Sequence, residues 1–319
     1  ADRFSRVTYR FEYATLKYCQ IMTQKAAAQL LRIPKSTLSD LLHRAVTRLR
    51  NGHRIRGLRT IGIDEISYAK GHKYATLVYD LERACVVWIG PGKRRETIDR
   101  FFSEAVSEYQ RERIQWACCD MSEAYMGAIK HHCPNATLVL DRFHVVKALN
   151  SAVDEVRKQQ WREANADQRK ALKGLRWMLY RHSSTRSRQN TETLKALEKA
   201  NNRIYRAWRL KDEFEQFWEY QAPWAAERFL KSWTTSALRS RLEPLRTFVN
   251  TLRKHFFGVL AFIESRLTNA IAEGLNRIVQ IVKNRASGFR TLDAFSDMIF
   301  LTVGDLDIPA QIPARFRTL

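Results

Sequence analysis

Apolar residues recur three and four apart from Tyr9 to about Arg50, a spacing that predicts helices with one buried face. Within this stretch a short helix is expected after Thr23 and a second from Lys35, the latter burying Leu38, Leu41 and Leu42. Thr23 is a good capping residue, Ala28 leaves room for a crossing helix, and Leu31 and Ile33 fill the space between the two. The pattern predicts a helix-turn-helix, with Arg32 at the turn position where glycine is usual. Its plainer competitor is a helical hairpin. After Asn51-Gly52 the periodicity changes. Stretches 60–66, 74–79 and 84–89 read as three antiparallel strands, with Lys70-Gly71-His72 and Asp80-Leu81-Glu82-Arg83 as turns.

Residues 96–110 predict a helix burying Ile98, Phe101, Phe102, Ala105 and Val106. A strand over 114–119, a helix over 122–132, a strand over 137–140 and a helix opening with Asp141 follow. That element order predicts an α/β fold, a ribonuclease H-like core with a mixed five-stranded sheet in which the first and fourth strands are neighbours. From Asn150 to about Phe262 the chain turns to long, charged helices holding Trp161, Trp177, Trp208, Trp218, Trp224 and Trp233. These rings read as packed core sooner than as base-stacking platforms. Ser183-Ser184-Thr185 marks a break there, and Pro223 and Pro244 mark helix starts. A last helix is expected over 262–284, with Ile263, Leu267, Ala270, Ile271, Ile278 and Val282 on its apolar face. Asn269, Glu273, Asn276 and Gln280 form its polar stripe. The expected domains are 1–56, helical and DNA-binding; 57–149, the first part of the core; 150–261, an all-helical insertion; and 262–319, the final core helix and tail.

Charge changes the picture most. With 55 Lys and Arg against 33 Asp and Glu, the net charge is +22 and the isoelectric point about 10.1, which points to a polyanionic partner, DNA or RNA first. Hydrophobic residues make up 45% of the chain, enough to bury a core, yet no apolar run has the length of a membrane helix, so a soluble protein is expected. No secretory signal is visible. The five cysteines are scattered and odd in number, and read as buried, reduced thiols of a cytoplasmic protein.

Three acids carry the candidate chemistry. Asp64 interrupts the apolar run 61–63, Asp120 ends the run 114–119, and Glu273 is the one acid between Ser265 and Leu292, among Arg266, Arg277, Lys283, Arg285 and Arg290. Neighbouring strands would bring the two aspartates to one small volume, with the Glu273 helix packed across them. Three carboxylates so placed can hold two magnesium ions against a phosphodiester. Each has a rival: Glu65 should point to the other face of its strand, Glu123 reads as an exposed helix-start acid, Asp141 as a helix cap, and Glu264 could replace Glu273. In the helix from Lys35, phosphate contacts are expected from Lys35 and Arg44 and base contacts from Ser36, Thr37 and Ser39. Lys283, Arg285 and Arg290 are candidate phosphate holders, with a solvated basic face as the alternative.

At these residues the chain resembles the ISL3 family of DDE transposases of bacterial insertion sequences, over nearly its whole length. The motifs are Gly62-Ile63-Asp64-Glu65, Cys119-Asp120-Met121, Asp141-Arg142-Phe143-His144-Val145-Val146, Asn269 through Asn276, and Ala286-Ser287-Gly288-Phe289-Arg290, in that order. The resemblance implies Asp64, Asp120 and Glu273 as catalytic metal ligands for two Mg²⁺, with Mn²⁺ as substitute, and Asp141, His144 and Asn276 as active-site support. It also implies double-stranded DNA as partner, both terminal inverted repeats and target, a homo-oligomer on that DNA, and a bacterial, cytoplasmic, nucleoid-associated location. The family's amino-terminal cysteine-rich zinc segment is expected upstream of Ala1 or lost. The expected activity is metal-dependent cleavage and strand transfer. Its rivals are a non-catalytic DNA-binding regulator derived from a transposase and a ribonuclease H-like nuclease that never joins ends.

Overall fold

The computed structural model describes residues 7–52, 55, 57–181, 187–199, 202–267 and 270–308. Ser183, Ser184, Thr185 and Asn269 lie outside the described residues. The chain divides into two compact units, residues 1–136 with 269–319 and residues 137–268.

The first unit opens with three helices, α1 (Tyr9–Ile21), α2 (Gln24–Leu30) and α3 (Lys35–Gly52). The Thr23 hydroxyl accepts from the Ala26 N–H at 3.1 Å and so caps α2. The helix stops at Arg32, whose φ of +54° is left-handed, and the Ile33 N–H returns to the Ala28 carbonyl at 3.0 Å. This six-to-one bond closes the helix end without the glycine that such a turn favours. Leu38, Leu41 and Leu42 are buried, as their spacing predicts, and so are Ala27 and Ala28.

The sheet follows, with β1 (Thr60–Ala69), β2 (Lys73–Asp80) and β3 (Cys85–Pro91) as an antiparallel meander. The expected helix over 96–110 does not run through. It begins as α4 (Arg95–Arg100), widens into one π-helical turn over Phe101–Ala105, and breaks at Val106, which is extended. Ser107 then starts α5 (Glu108–Arg111) with a reciprocal capping box to Gln110. Apolar periodicity continued past the break because Phe101, Phe102 and Val106 are all buried, whatever the backbone between them. β4 (Trp116–Cys119) lies parallel to β1, and α6 (Glu123–His132) leads away from it. This unit thus contributes four strands in the order β3-β2-β1-β4 to a mixed sheet of five.

The fifth strand, β5 (Thr137–Leu140), opens the second unit. Helices α7 (Arg142–Glu163), α8 (Ala166–Leu172), α9 (Leu175–Tyr180), α10 (Arg188–Lys199), α11 (Arg203–Glu215), α12 (Pro223–Arg239), α13 (Glu243–Lys254) and α14 (Phe256–Ser265) complete it. Phe214, Trp218, Trp233, Phe248 and Phe262 meet in edge-to-face contacts, and Trp208 is buried as well, so three of the six tryptophans are core. Trp177 and Trp224 are exposed instead. The α14 helix packs on β5 at Gly258, where a Cβ would stand 2.9 Å from the Leu140 side chain.

The single helix expected over 262–284 is two. Arg266, left-handed at φ +52°, ends α14, and α15 (Ala270–Arg285) starts anew in the first unit. Its buried face is Ala272, Leu275, Val279 and Val282, whereas Ile271 and Ile278 are 40% and 38% exposed. The expected apolar stripe counted Ile271 and Ile278 by residue type; the buried one follows the contacts with β1 and α16 (Leu292–Val303). Read as a tail, α16 is in fact a nearly all-buried helix capped by Thr291 and packed on α1 and α3.

Candidate active site

The last registered pair of β1 and β4 is Gly62 with Cys118, and two residues further stand Asp64, still within β1, and Asp120, just past the end of β4. In a parallel ladder, positions in register point to the same face. Each carboxylate is anchored locally. Asp64 Oδ1 accepts from the Glu65 N–H at 2.8 Å, and Asp120 Oδ1 from the Ser122 N–H at 2.9 Å, which draws the chain from the strand into α6. Both side chains are half-buried.

The second oxygen of Asp64 accepts from the Asn276 amide at 2.6 Å. The Asn276 carbonyl oxygen in turn accepts from the Tyr79 hydroxyl. Tyr79 pairs with Gly62 across β1 and β2, two positions from Asp64, and therefore shares its face. Burial first, and then the Asp64 charge, raise the Tyr79 pKa well above the usual tyrosine value, so it stays a donor. Sequence reading missed Tyr79, since only the strand register brings it beneath Asn276. Glu273 lies one helical turn before Asn276, on the same side of α15, and is exposed.

The other face of β1 carries Glu65, as its alternation predicts. The Tyr125 hydroxyl donates to Glu65 at 3.4 Å and lies 3.1 Å from the Thr76 hydroxyl. Burial chiefly, then the charges of Glu65, Asp120 and Asp64, push the Tyr125 pKa up, while its bond to Thr76 opposes them. Three carboxylates are thus near enough to act on one phenol, and Tyr125 was not singled out from the sequence either. Among the described residues, no three His, Cys, Asp or Glu side chains gather closely enough to hold a metal ion. The aspartate pair fits a hard cation by its oxygen donors and adjoining placement. Glu273 is linked to that pair through α15, whose Asn276 one turn later bonds Asp64.

The remaining candidates fall as follows. Asp141, in the second unit, accepts from the Phe143 N–H at 3.0 Å and caps α7, and His144 Nε2 stands 3.7 Å from its other oxygen. Glu123 is an exposed acid in the first turn of α6. Lys35, Ser36 and Thr37 are exposed on the first turn of α3, whereas the Ser39 hydroxyl is turned to Gln24 at 3.1 Å. Arg44 is exposed. Lys283 donates to the Ser67 carbonyl at 2.6 Å, and Arg285 to the carbonyls of Gln20 and Cys19 at 2.8 and 3.2 Å, so these two cations clamp α15 to β1 and α1. Arg290 is exposed. No helix among the described residues is long and apolar enough to cross a membrane.

A family model for ISL3 DDE transposases, described as "Transposase", matches residues 61–299 and so spans both aspartates and α15. The transposase of insertion sequence element IS1001 from Bordetella parapertussis is 34% identical over 92% of this chain and 73% of its own length. The transposase of IS1557 from Mycobacterium tuberculosis is 26% identical over 93% and 72%. Among solved structures, a Drosophila P element transposase in a strand transfer complex superposes with a TM-score of 0.44 at 10% identity, covering 93% of this chain and 92% of that one. That likeness is too distant to carry an argument. By the extent of the family match and the identity to the IS1001 protein, the chain belongs to the ISL3 family of DDE transposases.

Proposed function

We propose that this transposase binds the terminal inverted repeats of its element, cuts there with Asp64, Asp120 and Glu273 as metal ligands, and joins the freed 3′ ends to target DNA. The observation that carries the reading is the pair of aspartates, each two residues past the last registered pair of the parallel neighbours β1 and β4, with α15 hydrogen-bonded to one of them a single turn after Glu273. The element order and sheet support a ribonuclease H-like core. Asp64 and Asp120 would hold Mg²⁺ or Mn²⁺, with Glu273 completing the set from α15. When bound, two such cations activate an attacking oxygen and stabilise the leaving one. The protein's own residues do the positioning. Backbone N–H groups of Glu65 and Ser122 fix the carboxylates, and Asn276, held by Tyr79, orients Asp64. Direct transesterification needs no protein nucleophile, and all five cysteines are buried. Recognition of the ends falls to α3 as the second helix of a helix-turn-helix, with Ser36 and Thr37 toward bases and Lys35 and Arg44 on phosphates. The active form is a homo-oligomer on DNA.

Labelled element ends, a target plasmid and Mg²⁺ provide the test. Wild-type protein is expected to cut and join. Asp64→Asn, Asp120→Asn and Glu273→Gln should each lose more than the ~100-fold typical of removing a residue that merely supports a ligand, with DNA affinity kept. Cutting without joining would identify a nuclease, and sequence-specific binding without metal-dependent cutting a regulator. Near-normal cutting by Glu273→Gln would remove it from the ligand set.

A further inference from the structure

A cleft of about 1030 Å³ opens in the first unit between the α1–α2 turn, the amino end of α3, the end of β1 and the carboxyl end of α15. Six cations line it, Lys25, Lys35, Lys70, Lys283, Arg285 and Arg290, and no aspartate or glutamate does. Elsewhere in this unit basic side chains lie beside acids: Arg48 on Glu12, Arg95 on Asp99, Arg100 on Glu104. In the cleft the charge is left standing. The two inner cations, Lys283 and Arg285, are fixed by backbone carbonyls, which hold their position without neutralising them. The four outer ones, Lys25, Lys35, Lys70 and Arg290, are exposed and make no ion pair among the described residues. Like charges gathered in a concave wall raise the local potential and cost stability unless an anion is bound.

Its position decides what that anion is. From Glu273 to Lys283 is ten residues of helix, or ~15 Å at 1.5 Å per residue. From Asp64 to Ala69 is five residues of strand, or ~16 Å at about 3.3 Å per residue. Two independent elements thus lead from the acids to the cleft over one distance, which equals roughly four to five base-pair steps of ~3.4 Å. We infer that the cleft is a phosphate-backbone subsite for duplex DNA, gripping the strand about four to five nucleotides from the bond that is cut. It reads no bases. It joins the first turn of α3 to the acid-bearing helix through one continuous stretch of backbone, so that end recognition sets the register of cleavage. The spacing rests on the proposed function, because it is counted from the acids assigned there; the phosphate contacts do not.

The experiment uses the full chain in the absence of metal. Lys25→Gln, Lys70→Gln and Arg290→Gln are combined, and DNA affinity is measured against salt concentration. Three lost phosphate contacts should flatten the plot of log K against log salt by ~2.7, at about 0.9 per contact. A control with Lys17→Gln, Arg113→Gln and Lys130→Gln removes the same charge from outside the cleft and should leave the slope within one contact of wild type. Equal flattening in both, or none in the first, overturns the cleft as a subsite. Phosphate-ethylation interference on element-end DNA should then peak four to five nucleotides from the cut, and this peak should vanish in the triple variant. An unmoved peak overturns the assignment as well. If Asp64→Asn still cuts while the triple variant loses slope and peak, the reading of the acids fails and the cleft stands.

Discussion

Replacing Asn276 by leucine tests whether the chain Tyr79–Asn276–Asp64 is a coupled unit. The substitution keeps the branching at Cγ, slightly raises helix propensity, and removes both polar atoms. One lost bond ran to an ionised carboxylate at 2.6 Å, worth about 1.5–3 kcal/mol. Asp64 is half-buried and water can replace the amide, so the low end, about 1.5 kcal/mol, applies. The other loss strands the hydroxyl of Tyr79, a fully buried residue, at a cost of about 2 kcal/mol. Asn276→Leu should therefore cost about 3.5 kcal/mol and Tyr79→Phe alone about 1 kcal/mol. In the double variant no hydroxyl is stranded, since both partners are apolar. Its cost should fall to about 1.5 kcal/mol, less than that of Asn276→Leu by itself. Urea unfolding gives the totals, and amide exchange of β1 and β2 reports the affected region. If Tyr79→Phe deepens the loss in the Asn276→Leu background, the two residues do not share a bond and the positioning role falls.

Two further outcomes follow from local structure. Arg32→Gly should raise stability by about 0.5–1 kcal/mol in thermal unfolding, because a side chain held at φ +54° is strained where glycine is not; a drop would mean that Arg32 makes a compensating contact. The buried thiols should be inert at pH 8 toward a thiol reagent until the protein is denatured, when all five react. Burial pushes Cys19 and Cys85 to about 11 and Cys133 to about 12, so the thiolate fraction at pH 8 is small. A fast-reacting native thiol would contradict that burial.

The sequence by itself determined the elements whose signals are local. Thr23 caps α2 through its own hydroxyl, the meander strands fall between the turns read for them, β5 lies at 137–140 as read, and Asp141 caps its helix. The order of those elements, with the motifs around Asp64, Asp120 and Glu273, also carried the family. What tertiary structure alone decided was which side chains meet. Val106 is apolar whether its helix continues or breaks, so periodicity could not reveal the interruption that Ser107 restarts. Nothing in the run 262–284 marks Arg266 as the left-handed end of one helix, and the expected stripe through Ile271 and Ile278 gave way to Ala272, Leu275, Val279 and Val282 once β1 and α16 were the partners. Tyr79 reaches Asn276 across a separation of 197 residues, through a register that long-range pairing sets. Lys25 and Lys70 are unremarkable surface charges in the sequence, and join Arg290 in one cleft only where three distant segments converge. Caps and turns act within a few residues and leave a trace there; contacts between distant segments depend on the whole fold and leave none in either segment alone.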